Sequence, residues 1–259
     1  MTPRQNLFGV GIDALTMDRA VARCLAAVRA GERLEIGVVN AAKLVTMRRD
    51  PALARAVSGC DLVLADGQAV VWASRLLRRP LPERVAGIDL FTRLLAEAER
   101  EGLSVYLLGA KQHVLDEMLR RIAVRHPGLR VAGSRNGYFG DDEQPAVADA
   151  IAASGADLLF LGMTSPKKEI FTAGYGERSK AALVHGVGGS FDVLAGVTRR
   201  APESWQRLGL EWLYRALQEP RRLGRRYLTT NVSFALMTAR ELLRRTASPS
   251  ISTASRGES

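Results

Sequence analysis

Short apolar runs separated by amphipathic stretches dominate the first three quarters of the chain. Phe8 to Ile12, Glu35 to Val39, Leu62 to Leu64, Ser104 to Leu108, Leu129 to Ala132, Asp157 to Leu161 and Ala182 to Val187 each have the length and apolar content of a strand. Most show no polar alternation, as expected of parallel strands covered on both faces. Between them lie helical patterns. One is capped by Thr16, runs to Ala30 and is stopped by Gly31. Others cover the Lys43 region and the turn after Pro51, Gln68 to Leu77, Ile88 to Glu101 closed by Gly102, Lys111 to Arg125 before Pro127-Gly128, Gln144 to Ala153, and the residues after Ser165-Pro166. This alternation predicts an α/β, Rossmann-like fold: a mostly parallel sheet with helices on both faces, joined by right-handed crossovers.

The pattern changes at Arg199. Pro202 to Leu217 reads as an amphipathic helix with Trp205, Leu208, Trp212 and Ala216 on one face, and Pro220 ends it. A second Arg-rich helical segment follows, and SPSISTASRGES is a polar tail expected to be disordered. The division implied is 1–198 as the α/β domain, 199–245 as a basic helical appendage, and 246–259 as tail.

Charge sharpens that division. The 259-residue chain carries a formal net charge of +10. Arg199 to Arg245 holds 11 Arg and 4 Glu, a net of +7, so the basic character is concentrated in the appendage. The dominance of Arg over Lys reads either as GC-rich codon usage or as recognition of phosphate or anionic lipid, and the clustering keeps the second reading open. No stretch reaches the roughly 18 to 20 apolar residues needed to span a bilayer, and the N-terminus has no apolar core of signal-peptide length. Cys24 and Cys60 are isolated thiols, expected to be reduced and buried. The three histidines have no metal-ligand spacing, and no paired acids stand beside a strand to hold a divalent cation, so neither metal nor cofactor is expected.

Candidate chemistry gathers where strands end. Leu62 to Leu64 leads to Asp66-Gly67, which puts a carboxylate at the edge where open α/β sheets bind ligands. Asp66 reads either as a general base for a hydroxyl nucleophile or as an ordinary turn residue. Arg84, Gly87 and Asp89 follow a Pro-interrupted loop and bring further polar groups towards the same rim. Asn40, ending the neighbouring strand, can orient a sugar hydroxyl or cap the next helix. GVGGSF offers backbone N–H groups to an anion or permits close helix packing, and it is not a dinucleotide fingerprint, since Phe191 stands at the last glycine position. Lys167, Lys168 and Glu169 sit where a loop meets a helix, suited to phosphates or simply to solvent. Arg215, Arg222, Arg225 and Arg226, interleaved with aromatic residues, form a solvated face or a pyrophosphate site at a membrane surface. No nucleic-acid motif accompanies the charge, so nucleic acid is not an expected partner.

Taken together, these residues resemble the WecG/TagA/CpsF glycosyltransferases that build bacterial surface polysaccharides and teichoic acid linkage units. The matching pieces run in order: Asn40 after the second strand, ADGQAVVWAS, LPERVAGIDL, YLLGA, GYF, LLFLGMTSPKKE, GVGGSFDVLAG and RRAPESWQRLGLEWLYRALQEPRRLGRRYL, spanning about Asn6 to Leu228. The resemblance implies inverting, metal-independent transfer of a sugar from a UDP-sugar to a polyprenyl-pyrophosphate-linked sugar, at the inner face of the cytoplasmic membrane. It assigns Asp66 the role of base, Asn40, Arg84 and Lys168 to the substrate pocket, and Arg215, Arg222 and Arg225 to phosphate binding by an appendage that closes over the site. Two departures are visible: Val38 where the family often has Thr, and Lys168 where it usually has Gln. Glucose, N-acetylmannosamine and its uronic acid stay open as donor sugars, and so does a homo-oligomer. The rival readings are a non-catalytic nucleotide or polyanion binder that keeps the sheet, and an RNA-binding protein.

Overall fold

A computed structural model describes residues 3–218 and 225–246, except for the side chains of residues 215, 225–228, 245 and 246. Six strands make one wholly parallel sheet: β3 (Leu34–Val39), β4 (Leu62–Ala65), β5 (Ser104–Gly109), β6 (Arg130–Arg135), β7 (Leu158–Gly162) and β8 (Leu183–Gly186). Their spatial order is β4-β3-β8-β7-β5-β6. Every residue of β3, β4 and β5 is buried, which is why these strands read as unbroken apolar runs. β6, at the edge opposite β4, is half exposed.

Helices cover both faces, and alternate strand residues feed the two sides. Ile36, Val38, Leu62, Leu64, Leu107 and Phe160 pack with α1 (Met17–Arg29), α5 (Gly87–Glu101), α6 (Gln112–Arg125) and the short α9 (Ser190–Leu194). Val39, Val63 and Ala65 pack on the opposite face with α2 (Ala41–Met47), α3 (Pro51–Ser58) and α4 (Gln68–Leu76). Leu108, Leu159, Leu161 and Val184 continue that face under α7 (Gln144–Ser154) and α8 (Lys167–Tyr175). The caps agree with local chemistry: Thr16, Asn40 and Asp50 each accept a backbone N–H at the start of α1, α2 and α3. Gly102 and Gly155 close α5 and α7 in the left-handed conformation that only glycine adopts freely.

Two sequence expectations need correction. Phe8 to Ile12 is not one strand but part of a hairpin, β1 (Arg4–Leu7) and β2 (Val10–Asp13), which turns at Phe8 (φ 57°) and Gly9 (φ 84°). A bulky residue at positive φ hides the turn from any pattern of apolar positions. The Phe8 ring meets Phe234 edge-on, with centroids 5.4 Å apart. Pro202 to Leu217 is likewise two helices, α10 (Glu203–Arg207) and α11 (Glu211–Gln218). Gly209 separates them at φ 65°, against the Trp72 ring, where a Cβ would lie 2.8 Å from the nearest ring carbon.

The last helix, α12 (Arg225–Thr246), lies against α2 and the hairpin and places Phe234 and Met237 in the core cluster of that face. The tail expected from residue 246 lies outside the described residues apart from Thr246, which ends α12. Because Phe234 is buried and paired, Phe234→Ala should cost about 3 kcal/mol or more. Denaturant unfolding measures that loss, and hydrogen exchange should show α12 amides opening before those of the sheet. Wild-type stability would mean that α12 rests on the body without gripping it.

Candidate active site

Four short segments converge at the carboxyl ends of β4, β3 and β8. Asp66 follows β4 directly and is half-buried, and its own N–H donates to the Val39 carbonyl at 2.8 Å. The chain from Arg84 to Gly87 then returns along the end of β4. Val85 N–H donates to the Ala65 carbonyl (2.9 Å), and Gly87 N–H donates to Asp66 Oδ1 (2.9 Å). Gly87 is the first residue of α5, so Asp66 serves one of the N–H groups that a helix leaves unpaired at its start. No hydrogen bond to Oδ2 exists among the described residues, which leaves that oxygen as an acceptor for an incoming hydroxyl.

Asn40 stands at the end of β3 beside this acid. A Cβ added to Gly67 would lie 3.0 Å from Asn40 Cβ, so the glycine lets the backbone after Asp66 pass close to Asn40. Its Oδ1 accepts Lys43 N–H at 2.9 Å, the capping role read as one alternative from sequence. Its amide N–H groups have no partner among the described residues.

Lys168 is buried, contrary to the solvated reading. Its stem crosses the end of β8, where a Cβ on Gly186 would sit 3.0 Å from Lys168 Cδ and Cε. Glu169 Oε1 receives both Lys168 Nζ and Lys43 Nζ at 2.7 Å, and Glu169 Oε2 is buried without a partner. Burial alone would raise the Glu169 carboxyl, but the Lys43 and Lys168 charges outweigh it and hold the group down at about 2. Burial and the neighbouring Lys43 push Lys168 down to about 8, against the pull of Glu169 and Asp66. The cluster therefore keeps a surplus positive charge beside Asp66 at neutral pH.

Arg84 does not face an open pocket. Its Nη1 donates to Glu211 Oε2 on α11 at 2.9 Å, its Nη2 lies 3.4 Å from Gln206 Oε1 and 3.8 Å from Asp89 Oδ2, and the side chain is largely buried. Beside it Arg200 grips Asp89 through both terminal nitrogens (2.5 and 2.7 Å), while its buried Nε has no partner. These pairs tie α10 and α11 to the rim that carries Asp66. Arg222 lies outside the described residues. Arg215 and Arg225 have described backbones, in α11 and α12, but their side chains lie outside the description.

Lys43 and Arg200 belong to this site although the sequence reading gave neither a role, and Glu169 and Asp89, which it had placed near phosphates and near the rim, prove to be their anionic partners. Their signals were the KKE triplet, the acid two residues after Gly87, and the arginine pair opening the appendage. Lys167 turns elsewhere: its Nζ binds the Gly137 and Phe139 carbonyls and lies over the Phe139 ring.

Residues 5–248 match the model of the Glycosyl transferase WecG/TagA/CpsF family. The chain belongs to that family. It is 40 % identical over 177 residues, 68 % of each chain, to the N-acetylglucosaminyldiphosphoundecaprenol N-acetyl-beta-D-mannosaminyltransferase of Bacillus spizizenii. The protein is thus a glycosyltransferase.

The Lys43–Glu169–Lys168 cluster makes a prediction. Glu169→Gln strands two buried ammonium groups and should cost about 3 to 5 kcal/mol at pH 7. A lysine held at a lowered value loses its proton first in the folded state. The unfolded chain then binds more protons, and stability rises with pH. Without Glu169 the Lys168 amine falls further below about 8, so the variant begins this rise at a lower pH than the wild type, and the deficit should shrink as pH rises towards 8. Equilibrium unfolding at several pH values measures it, and a pH-independent deficit would contradict the assignment.

Proposed function

We propose that the protein transfers a sugar, with inversion and without a metal ion, from a UDP-sugar to a sugar carried on a polyprenyl diphosphate, in the synthesis of a bacterial surface polymer. The observation that carries this reading is Asp66: a carboxylate at the sheet rim with Oδ1 fixed by Gly87 N–H and Oδ2 unpaired, among Lys168, Arg200 and Asn40. Asp66 accepts the proton of the acceptor hydroxyl as its oxygen bonds to the donor's anomeric carbon. The bond from that carbon to the β-phosphate oxygen breaks on the opposite face, so the configuration inverts and UDP departs with the electron pair.

The departing diphosphate gains negative charge that must be balanced in place. Lys168 and Lys43, which outnumber Glu169, supply part of that balance, and Arg215, Arg222 and Arg225 of the appendage supply the rest. Asn40 holds a sugar hydroxyl or amide through its spare N–H groups. Arg84 acts indirectly in this reading, because its guanidinium holds Glu211 and so seats the appendage against the site.

The acceptor named for the Bacillus relative is a polyprenyl diphosphate carrying N-acetylglucosamine, and the group moved is N-acetylmannosaminyl. That pair is the first to test here, with UDP-glucose and the uronic acid donor beside it. No described helix is long and apolar enough to cross a membrane. On α12, however, Val232, Leu236 and Leu243 are all more than half exposed and recur at helical spacing beside exposed Arg240 and Arg244. An apolar stripe flanked by arginines suits the anionic inner face of the cytoplasmic membrane, where a lipid-linked acceptor resides.

UDP release measured with each donor, with and without a short-chain lipid-diphosphate sugar, tests the proposal. Release should require both substrates, and Asp66→Asn should lower it by roughly 10²- to 10⁴-fold while sparing donor binding. Full turnover by Asp66→Asn would remove the base. Donor binding with no release for any pair would favour a non-catalytic binder.

A further inference from the structure

His185 lies on β8 and is fully buried, registered opposite Ile36 of β3 and Phe160 of β7. Its ring meets Phe160 edge-on, with centroids 6.3 Å apart. Val38 offers only methyl groups to the space above Gly87. A polar ring in such surroundings costs free energy unless its polar atoms are used.

One of them is used. His185 Nε2 lies 3.2 Å from the Gly87 carbonyl oxygen. A carbonyl only accepts, so Nε2 must carry the proton. Burial pushes the imidazole down to about 4, leaving it neutral at physiological pH with a single N–H. Nδ1 then carries the lone pair and makes no hydrogen bond of good geometry, the Ile36 carbonyl near the ring being a weaker partner than that of Gly87. The ring therefore gives its one proton to Gly87, the residue whose own N–H holds Asp66 Oδ1.

Gly87 is gripped at both ends, by Asp66 at its amide and by His185 at its carbonyl. A glycine at the head of a helix has no side chain with which to resist rotation, and the Ala86 cap supplies no side-chain hydrogen bond there. We propose that His185 is a positioning residue for the transfer reaction: it fixes the first turn of α5 so that Gly87 N–H holds one oxygen of Asp66 and turns the other towards the acceptor. This inference rests on Asp66 being the base. His185 itself touches no substrate and exchanges no proton in the reaction.

The test compares His185→Leu, His185→Gln and Asp66→Asn in the full chain by steady-state UDP release. Leucine removes the donor. Glutamine places an N–H near the position of Nε2 and keeps it. The leucine variant should lose about 10- to 100-fold in kcat with KM for the UDP-sugar nearly unchanged, as for a base displaced by a fraction of an ångström. The glutamine variant should recover most of that loss. If the leucine variant melts below the assay temperature, His185→Asn replaces it, since the shorter amide cannot reach the Gly87 carbonyl. Wild-type kcat without the donor, or a glutamine variant that folds and is as slow as leucine, overturns the inference. Should Asp66→Asn turn over normally, the base reading falls and this one with it. An inactive Asp66→Asn beside a fully active His185→Leu removes the positioning role alone.

Discussion

The Asp66 carboxylate takes the first N–H of helix α5, and the site is arranged around that hydrogen bond. It joins two layers of the fold, since the acid ends a strand and the amide begins a helix that packs beneath the sheet. The aligned peptide dipoles attract negative charge to a helix start, which helps to hold the carboxylate against the first turn of α5. The same bond leaves only one oxygen available. A capping contact and a catalytic role are thus compatible in one side chain, because the first uses Oδ1 and the second needs Oδ2.

Around this acid, each described cation already has an anionic partner. Lys43 and Lys168 share Glu169, Arg84 meets Glu211, and Arg200 meets Asp89. Removing such charges from water is costly, and pairing offsets the cost while holding the groups in one geometry. Two of the pairs also cross from the sheet body to the segment after residue 198, one to α11 and one to the loop before α10. The rim and the appendage are held together by ion pairs at the site and by the Phe8–Phe234 contact away from it. On the proposed reading, substrate adds phosphate to an arrangement that exists beforehand, and electrostatic preorganisation of that kind lowers barriers.

The sheet was legible because its central strands are covered on both sides and had to be written as apolar runs. Asp66 and Asn40 were legible for a related reason: a polar residue directly after such a run can only lie at the sheet's edge. The Phe8 turn was not, since nothing in a phenylalanine announces a positive φ when a distant Phe234 takes up its ring. Nor was the burial of Lys168, because a lysine in a KKE triplet reads as solvent-facing until its partners on α2 and α8 are seen together. Arg84 was legible as a residue near the rim but not in its contacts, which depend on a carboxylate more than a hundred positions later. His185 gave no sequence signal, as its partner is a backbone carbonyl.

The hydrogen bond from Gly87 to Asp66 can be removed without disturbing the helix it starts. Proline is well accepted at the first helical position, and Ala86, at φ −71° and ψ 131°, already has the backbone that a residue before proline requires. An added Cβ would meet Val38 and His185 at 3.6 to 3.8 Å, ordinary contact, so Gly87→Ala keeps the N–H and serves as control. The decisive measurement is kcat for UDP release by Gly87→Pro and Gly87→Ala under saturating donor and acceptor. The account predicts a folded proline variant slowed at least about tenfold beside an alanine variant close to wild type. Equal rates in the two would show that Asp66 needs no such anchor, and would contradict it.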